Sequence, residues 1–415
     1  MPREKSIPER FHDFVERVGA RLHKPNRRFL REAVFGLLER RSVLLSEIGR
    51  ALEEPRRLIH TEKRLSRGLS SPRYDDAAVE QDYLQMVAHI LRDERYPRPT
   101  IAVDLTDITK PRARKMPYLA TVWDGSEGDI GTGYSIVSVE AVGVRGRRLP
   151  LLSRLFSPED PDFTSQNASI FDAVAAAYRH VPKDAFWVFD SGFDGYNFFK
   201  RFEAMGMNYA VRLKLGDKSR FLYTPEGDMK VSKVVEALPL PYKHRPKRKS
   251  GPFTGNREVV QVGFLRNVRL PVYTARGRRS ASEIGDAWYS LVVAQGASKE
   301  PLVILTTRRV MTSEDAGQVV DTYLNRWGVE EANRFTKQGF DLENVRALKW
   351  TGLKRMVQLV HLAYGFLATL VHGPRKQVEY LAASFKAFGP VPTYLYYRLL
   401  EGIGRLLRVP MDGGP

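Results

Sequence analysis

Three acidic residues occupy positions from which carboxylates could act together in chemistry. Asp104 ends the apolar run 101–103, Asp190 ends the apolar run 185–189, and Glu330 lies on a helix predicted after the last strand. Burying an unpaired carboxylate is costly, so bound cations explain such a trio economically. Oxygen ligands in a chain without cysteine favour Mg²⁺ or Mn²⁺ over Zn²⁺. We therefore predict two such ions at Asp104, Asp190 and Glu330, where they would serve displacement at a phosphodiester.

Each aspartate also has an ordinary structural interpretation. An aspartate at the end of a strand commonly forms a turn or caps a helix. Asp107, Asp124 and Asp194 compete with the chosen pair on that ground. Asp107 is the closest rival, because it lies three residues after Asp104 on the same segment. We prefer Asp104, since apolar residues flank it on both sides, whereas Asp107 is expected to lie beyond the strand.

A single helix is predicted over residues 313–337, with Ser313 as its N-cap. Four polar residues follow one another at intervals of 3, 4 and 7 residues, namely Tyr323, Arg326, Glu330 and Lys337. At ~100° per residue they share a stripe ~60° wide. Cations on either side of a metal-binding glutamate are suited to hold a DNA backbone. The alternative is an ordinary helix with an Arg326–Glu330 ion pair.

The predicted secondary structure that positions the acidic and basic residues differs between parts of the chain. Residues 1–95 show helical periodicity, and the segment Tyr96-Pro97-Arg98-Pro99 marks a boundary. Beyond it, a hairpin of strands is followed by strands that alternate with helices, which indicates an α/β fold with a mixed sheet flanked by helices. We predict five parts in this order: a helical domain (1–95), a first core part (98–215), a β-rich insertion (216–298), a second core part (299–350) and a helical C-terminal region (351–415).

The charge balance indicates a polyanionic partner. The chain carries 66 basic and 48 acidic residues, a formal net charge of +18, and its pI is about 9.9. Such an excess fits nucleic acid or an anionic membrane surface. The most apolar stretch, 356–371, is too short for a spanning helix, so nucleic acid is favoured. A basic run over 243–249 provides Lys247 and Arg248 as candidates for phosphate contact, with a solvated loop as the alternative.

The N-terminal region contains the outline of a helix-turn-helix. A short amphipathic helix over 44–52 is followed by a break at Glu54-Pro55 and by a very basic helix over 56–67. The second helix of such a motif can lie in a major groove of DNA. We predict that four of its residues contact DNA: Arg56, Arg57, Lys63 and Arg64. Two surface helices with solvated charges are the alternative.

Two absences narrow the class of protein. The chain has no cysteine, which excludes disulfide scaffolds, cysteine zinc sites and thiol nucleophiles, and which suits a reducing compartment. The start, Met1-Pro2-Arg3-Glu4-Lys5, is not followed by an apolar segment, so we expect no secretory signal. A cytoplasmic protein is therefore expected.

The helix residues resemble a known family. The spacing Tyr-x2-Arg-x3-Glu-x6-Lys, which begins at Tyr323 and ends at Lys337, resembles the YREK signature of a large group of insertion-sequence DDE transposases. The segment Asn325-Arg326-Trp327-Gly328-Val329-Glu330 is similar to that group as well. The resemblance covers roughly residues 100–345. By position, Asp104, Asp190 and Glu330 match the acidic residues of the family.

This resemblance implies both a fold and an activity. The fold would be an RNase H-like core with a β-rich insertion, an N-terminal DNA-binding domain and C-terminal helices used in assembly. Two divalent cations would bind at the three acids, and the residues that contact DNA at the transposon end would be Tyr323, Arg326 and Lys337. The activity would be cleavage of terminal inverted repeats and strand transfer to target DNA, by a homodimer in a synaptic complex. Such a protein is expected to be nucleoid-associated and prokaryotic.

Several alternatives stay open at this point. An RNase H-like nuclease that cleaves DNA without joining it would use the same three carboxylates. A transposase-derived DNA-binding protein that has lost catalysis is a second alternative, although the intact acids speak against it. Some relatives hold a flipped base with an aromatic residue of the insertion. Trp288 and Tyr289 are candidates here, although aromatic residues of strands commonly pack in cores.

Overall fold

The computed structural model describes residues 5–92, 98–124, 128–142, 147–247, 259–273, 279–296, 300–373 and 394–408. Of the residues predicted to contact DNA, Arg248 lies outside these ranges. The chain forms two compact units, the first from residues 1–97, 105–182 and 329–415, the second from residues 98–104 and 183–328. The division passes through strand β1 (Thr100–Thr109), which therefore contributes residues to both units.

The first unit is mainly helical. Its N-terminal helices are α1 (Ile7–Val18), α2 (Lys24–Arg40), α3 (Leu45–Ala51), α4 (Leu58–Leu69) and α5 (Asp76–Leu91). The middle segment forms β2 (Ala120–Asp124), β3 (Asp129–Val142), β4 (Arg148–Phe156) and α6 (Gln166–Tyr178). The last helices are α10 (Trp327–Gly339), whose first two residues belong to the second unit, α11 (Trp350–Val371) and α12 (Tyr396–Leu407). Strand β3 pairs antiparallel with β2 through its first residues and with β4 through its last ones.

The second unit is built on a mixed sheet. In sheet order its strands are β1, β5 (Phe186–Phe189), β6 (Asn208–Arg212), β14 (Leu302–Thr306), β13 (Tyr289–Gln295), β10 (Val260–Val268) and β9 (Tyr242–His244). Strands β1, β5 and β6 are parallel, and each later strand runs antiparallel to the one before it. Two small hairpins and three helices complete the unit: β7 (Phe221–Thr224) with β8 (Gly227–Lys230), β11 (Pro271–Tyr273) with β12 (Arg279–Ile284), and α7 (Tyr196–Ala204), α8 (Val231–Ala237) and α9 (Ser313–Leu324).

This architecture confirms the predicted fold class, a mixed α/β protein with helices beside the sheet. Every residue of β5 and of β14 is buried, as expected for strands covered on both faces. The β-rich segment 216–298 also contains helix α8. Its strands β10 and β13 extend the main sheet of the second unit, because β13 pairs with β14.

The helix predicted over residues 313–337 is interrupted. Helix α9 ends at Leu324 and α10 begins at Trp327, and the backbone between them makes tight turns from Arg326 N to the Tyr323 carbonyl at 2.9 Å and from Gly328 N to the Asn325 carbonyl at 3.0 Å. The prediction of one continuous helix that carries the four polar residues in a single stripe is therefore wrong. The N-cap is Thr312 rather than Ser313, because Thr312 and Asp315 form a reciprocal capping box.

A buried arginine joins helix α11 to the N-terminal helices. The Arg355 guanidinium donates to both carboxylate oxygens of Asp76 at 2.8 and 2.7 Å, and to four backbone carbonyls between residues 68 and 74 at 2.8–3.3 Å. It also lies 4.2 Å from the ring centroid of Tyr74. These carbonyls belong to the end of α4 and the turn that follows it, so one side chain supplies donors to carbonyls at and beyond the C-terminus of this helix. No helix in the described ranges is long and apolar enough to cross a membrane.

Replacing this arginine should destabilise the first unit. We expect Arg355→Met to lower the free energy of unfolding by about 3 kcal/mol, because four carbonyls and a carboxylate lose their buried donor. Urea denaturation measures the change. The exposed neighbour Lys354 provides the control, and Lys354→Met should change the stability by less than about 0.5 kcal/mol. Equal midpoints for the two variants would contradict this role of Arg355.

Candidate active site

The register of β1 and β5 brings the two predicted aspartates together. These parallel strands pair Thr100 with Phe186 and Val103 with Phe189, so each residue faces the one 86 positions later. The next pair in this register is Asp104 and Asp190. Adjacent strands lie ~4.8 Å apart. The two carboxylates therefore leave neighbouring strands at the same end of the sheet.

An arginine on the next strand extends the pair Asp104 and Asp190 to a row of three residues. Strand β6 pairs Val211 with Phe189, so Arg212 is the next residue opposite Asp190. In-register residues of neighbouring strands lie on one face of the sheet, which places an aspartate, an aspartate and an arginine side by side. All three are half-buried. The row thus combines two anionic groups with a cation in a partly desolvated setting.

Asp190 also forms the turn that the alternative interpretation expects. Its Oδ1 accepts a hydrogen bond from Gly192 N at 2.9 Å and caps a 3₁₀ turn over Ser191–Phe193. This bond fixes the orientation of the carboxylate without removing it from the row. The structural role and the predicted chemical role therefore coexist at Asp190.

Arg326 lies in the break between α9 and α10 and points to Asp104. Its Nη1 is 3.6 Å from Asp104 Oδ1, and its side chain is buried. The same guanidinium lies 5.8 Å from the ring centroid of Tyr323. The contact with Asp104 brings Arg326 to the first aspartate of the row.

The phenol of Tyr323 is electrostatically linked to the row. Burial raises the pKa of Tyr323, and the Asp190 carboxylate acts in the same direction, whereas Arg326 and Arg212 oppose it. Because the pKa is raised, the phenol keeps its proton at neutral pH and can donate a hydrogen bond. The cluster therefore offers two carboxylates, two guanidinium groups and one neutral hydroxyl.

The acidic pair suits a hard cation. Carboxylate oxygens at one edge of a sheet are the donors that Mg²⁺ and Mn²⁺ prefer. Within the described ranges, no group of three or more His, Asp or Glu side chains is arranged to hold a metal ion. The candidate donors in the second unit are Asp104 and Asp190. The third predicted acid, Glu330, belongs to the first unit and is half-buried.

Lys337 lies on α10 in the first unit. Its Nζ is 3.4 Å from Glu343 Oε1, and it lines a small cavity together with Thr106 of β1, Asn333 and His361. Burial lowers the pKa of His361 to about 4, so the imidazole is neutral at physiological pH. The ammonium group of Lys337 is thus the cationic group of this cavity wall.

The three rival aspartates have other positions. Asp107 was predicted to lie beyond the strand, but it is part of β1, which continues to Thr109. It accepts a hydrogen bond from Ser135 Oγ at 2.6 Å, and strand alternation places it on the face opposite Asp104. Asp194 is buried, and it pairs with Arg220 at 2.5 Å. Asp124 is the last residue of β2.

Helices α3 and α4 match the predicted pair, and the predicted DNA-contact residues of the N-terminal region lie on α4 or directly before it. Arg56, Arg57 and Lys63 are exposed before or on α4. Arg64 is half-buried, and its guanidinium is paired with Glu54 at 2.8 Å and with Glu32. Arg64 thus ties α4 to its neighbours in the same helical bundle.

The candidates in the β-rich segment differ in exposure. Lys247 is exposed, and its backbone N–H donates to Asp321 Oδ1 at 3.0 Å. Tyr289 is buried and hydrogen-bonded to the Tyr209 hydroxyl at 2.7 Å, so it packs in the core. Trp288 is 60% exposed, and the Arg269 guanidinium lies 4.9 Å from its ring centroid. Of these two aromatic residues, Trp288 is the one accessible to a ligand.

Comparison with known proteins identifies the class. An acidic pair at the end of parallel strands, with basic residues around it, fits an enzyme that acts on a phosphodiester backbone. The sequence matches the transposase DDE domain family over residues 96–366, more than half of the chain, so the protein belongs to that family. It is accordingly a DNA transposase, an enzyme that cleaves DNA and transfers strands.

No curated protein matches the chain. Among solved structures, a cryo-EM structure of a piggyBac transposase synaptic complex with hairpin DNA is similar, with a TM-score of 0.42 and 11% sequence identity. That match covers 96% of this chain and 78% of the other.

The sequence interpretation did not include Arg212. The strand that carries it was predicted, but an arginine at the end of a strand has no distinctive pattern. Only its register with Asp190 marks it out.

Arg212 should matter for the reaction. We expect Arg212→Met to lower the rate of DNA cleavage by about tenfold or more at saturating DNA, because a cation beside developing phosphate charge is lost. The dissociation constant for DNA should change by less than about threefold. Single-turnover cleavage of labelled end DNA measures the rate, with Lys200→Met, an exposed lysine on α7, as the control. A wild-type rate in Arg212→Met would exclude Arg212 from the active site.

Proposed function

We propose that this protein is the transposase of an insertion sequence of the YREK group, which cuts the ends of its own element and joins them to target DNA. The observation that carries the proposal is the register that puts Asp104 opposite Asp190, next to Arg326. A shared site for cations and phosphates needs anionic and cationic groups at one sheet edge. Tyr323, Arg326, Glu330 and Lys337 keep the spacing that is typical of the group.

In this proposal Asp104, Asp190 and Glu330 hold two divalent cations, Mg²⁺ or Mn²⁺. Support for Glu330 comes from the sequence, because it stands at the glutamate position of the spacing that Tyr323, Arg326 and Lys337 share with the group. When bound, the cations would neutralise phosphate charge and lower the pKa of water.

The protein side chains position the DNA. Arg326 is held between Asp104 and Tyr323, so its guanidinium has a defined direction from which it can bind a phosphate. The protonated phenol of Tyr323 can donate to a phosphate oxygen or to a base. Lys337 provides a further cation along the backbone. Preorganised donors of this kind stabilise the charge that develops in the transition state.

The reaction is two successive in-line displacements. Water first attacks the phosphorus at the transposon end, the P–O3′ bond breaks, and the leaving 3′ oxygen takes a proton. The freed 3′-hydroxyl then attacks a phosphodiester of the target DNA. This step forms a new P–O bond and releases a target 3′-hydroxyl, so no covalent intermediate with the protein is needed.

DNA recognition is assigned to separate surfaces. Sequence-specific binding of the terminal inverted repeats would use α4, through Arg56, Arg57 and Lys63. The general affinity for DNA would come from the net charge of +18, with Lys247 and Arg248 on the β-rich segment among the contacts. Two copies of the chain would bridge the two ends in a synaptic complex. The host would be prokaryotic, and the protein would act at the nucleoid.

Neutralising each proposed ligand should separate binding from cleavage. We expect Asp104→Asn, Asp190→Asn and Glu330→Gln to reduce cleavage of end DNA below detection, since each removes a charged oxygen donor. Binding of the same DNA should persist. Gel-shift and cleavage assays with Mg²⁺ or Mn²⁺ measure both, and removal of the cations by a chelator should stop the wild-type enzyme.

The controls are two neighbouring acids. Asp107→Asn should stay active, because an amide oxygen still accepts the hydrogen bond from Ser135, and Glu331→Gln should stay active as well. An inactive Asp107→Asn variant would reverse the choice between Asp104 and Asp107.

The same assays distinguish the alternative functions. Cleavage without strand transfer to a target plasmid would identify a nuclease instead. A biological effect that survives Glu330→Gln would favour a DNA-binding protein without catalysis.

The role of α4 has its own test. Replacing Arg56 and Arg57 with alanine should weaken binding to the terminal repeat more than binding to random DNA, because base contacts as well as phosphate contacts are lost. Fluorescence anisotropy with the two DNAs at one salt concentration measures the ratio. Alanine at Arg17 and Lys24, two exposed cations on α1 and α2, serves as the charge-matched control. An equal loss on both DNAs would reduce α4 to a charged surface.

A further inference from the structure

The connection between β1 and β2 is held firmly at both ends. At its start, the buried Lys110 ammonium donates to the backbone carbonyls of Val345, at 2.8 Å, and Glu343. At its end, the Tyr118 ring packs edge-on against Trp350 with the centroids 5.6 Å apart. The Tyr118 carbonyl also accepts from Ser157 Oγ at 2.6 Å. Residues 110–118 therefore form a fixed loop that lies on the segment 343–350.

The middle of this loop is exposed and basic. Arg112, Arg114 and Lys115 all have exposed side chains. No ion pair joins any of the three to an acid within the ranges that the structure describes. Arg64 and Arg355 of the same unit, in contrast, are paired with carboxylates. The loop cations are therefore available to an external anion.

The supporting segment adds two more exposed cations, Arg346 and Lys349. The nearby acids have other partners. Glu343 is paired with Lys337 at 3.4 Å, and Asp160 accepts a hydrogen bond from Trp350 Nε1 at 2.5 Å. The five cations Arg112, Arg114, Lys115, Arg346 and Lys349 are called the loop patch below.

The loop patch adjoins the helix that is proposed to read DNA. A groove of about 410 Å³ is lined by Ile59, Glu62 and Lys63 of α4 and by Arg346 and Ala347. All of these residues belong to the first unit. A cation of α4 and a cation of the loop patch therefore line the same groove, together with the acid Glu62.

We propose that the loop patch is a second DNA-binding surface, which holds the sugar-phosphate backbone of the same duplex that α4 reads. The proposal rests on the proposed function, because it takes duplex DNA as the partner. Exposed arginines and lysines without local counterions are suited to phosphates, whereas base reading needs side chains directed into a groove of the duplex. The loop patch therefore adds affinity that does not depend on base sequence.

The test is the salt dependence of DNA binding by the full chain. The variant Arg112→Ala/Arg114→Ala/Lys115→Ala should bind terminal-repeat DNA and random DNA more weakly by the same factor, about tenfold or more. The slope of log K against log salt should fall by about 2–3, since each lost phosphate contact changes it by about 0.9. Arg112→Lys/Arg114→Lys keeps the charges and should keep the slope of the wild-type protein.

Two controls define the possible outcomes. Alanine at Arg17, Lys24 and Arg40 makes the same change in net charge on α1 and α2 and should leave the slope within about 1 of the wild type. If the loop variant and this control behave alike, the loop patch does not bind DNA. If the wild-type protein itself binds no DNA, the proposed function fails rather than this inference. Binding that is lost on the terminal repeat alone would also overturn the proposal, because it would indicate base reading.

Discussion

The parallel pairing of β1 with β5 is the constraint on which the candidate active site depends. Strand β5 and the part of β1 that pairs with it, residues 100–103, are buried, and the next residues in their register are Asp104 and Asp190, 86 positions apart in the chain. A slip of one residue would turn one of the carboxylates to the other face of the sheet. The packing of Val103 and Phe189 in the core prevents such a slip, so the packing of the core also fixes the geometry of the site.

The cations around the acidic pair follow from this arrangement. A buried guanidinium needs an anion or several acceptors close to it, and Arg326 finds Asp104 and the Tyr323 phenol. Arg212 lies beside Asp190 because β6 is paired with β5 in this register. An active site for DNA needs carboxylates to bind cations and basic side chains to bind phosphates, so charges of both signs must lie close together. The row in the second unit supplies them, and the break between α9 and α10 directs Arg326 to it.

The large positive charge of the protein is not all available to DNA. Arg355 satisfies backbone carbonyls in the core of the first unit, and Arg64 joins helices through Glu32 and Glu54. Arg220 is buried against Asp194 in the second unit. The exposed cations on α4 and on the loop after β1 are different, because they lie on the surface without carboxylate partners of comparable geometry. Net charge identifies the class of partner, and burial decides which residues can reach it.

The sequence by itself determined the residue types, the order of helices and strands, the mixed α/β class and the transposase family. These properties are local, because periodicity, turn residues and motif spacing are read within a few tens of residues. Asp104, Asp190 and Arg326 could be selected in this way. The helix break at residues 325–326, the inclusion of Asp107 in β1, the role of Arg212 and the pairing of Arg64 were decided only in the tertiary structure. Register and ion pairing depend on residues distant in the chain, and no local pattern encodes which strand or carboxylate will lie beside a given residue.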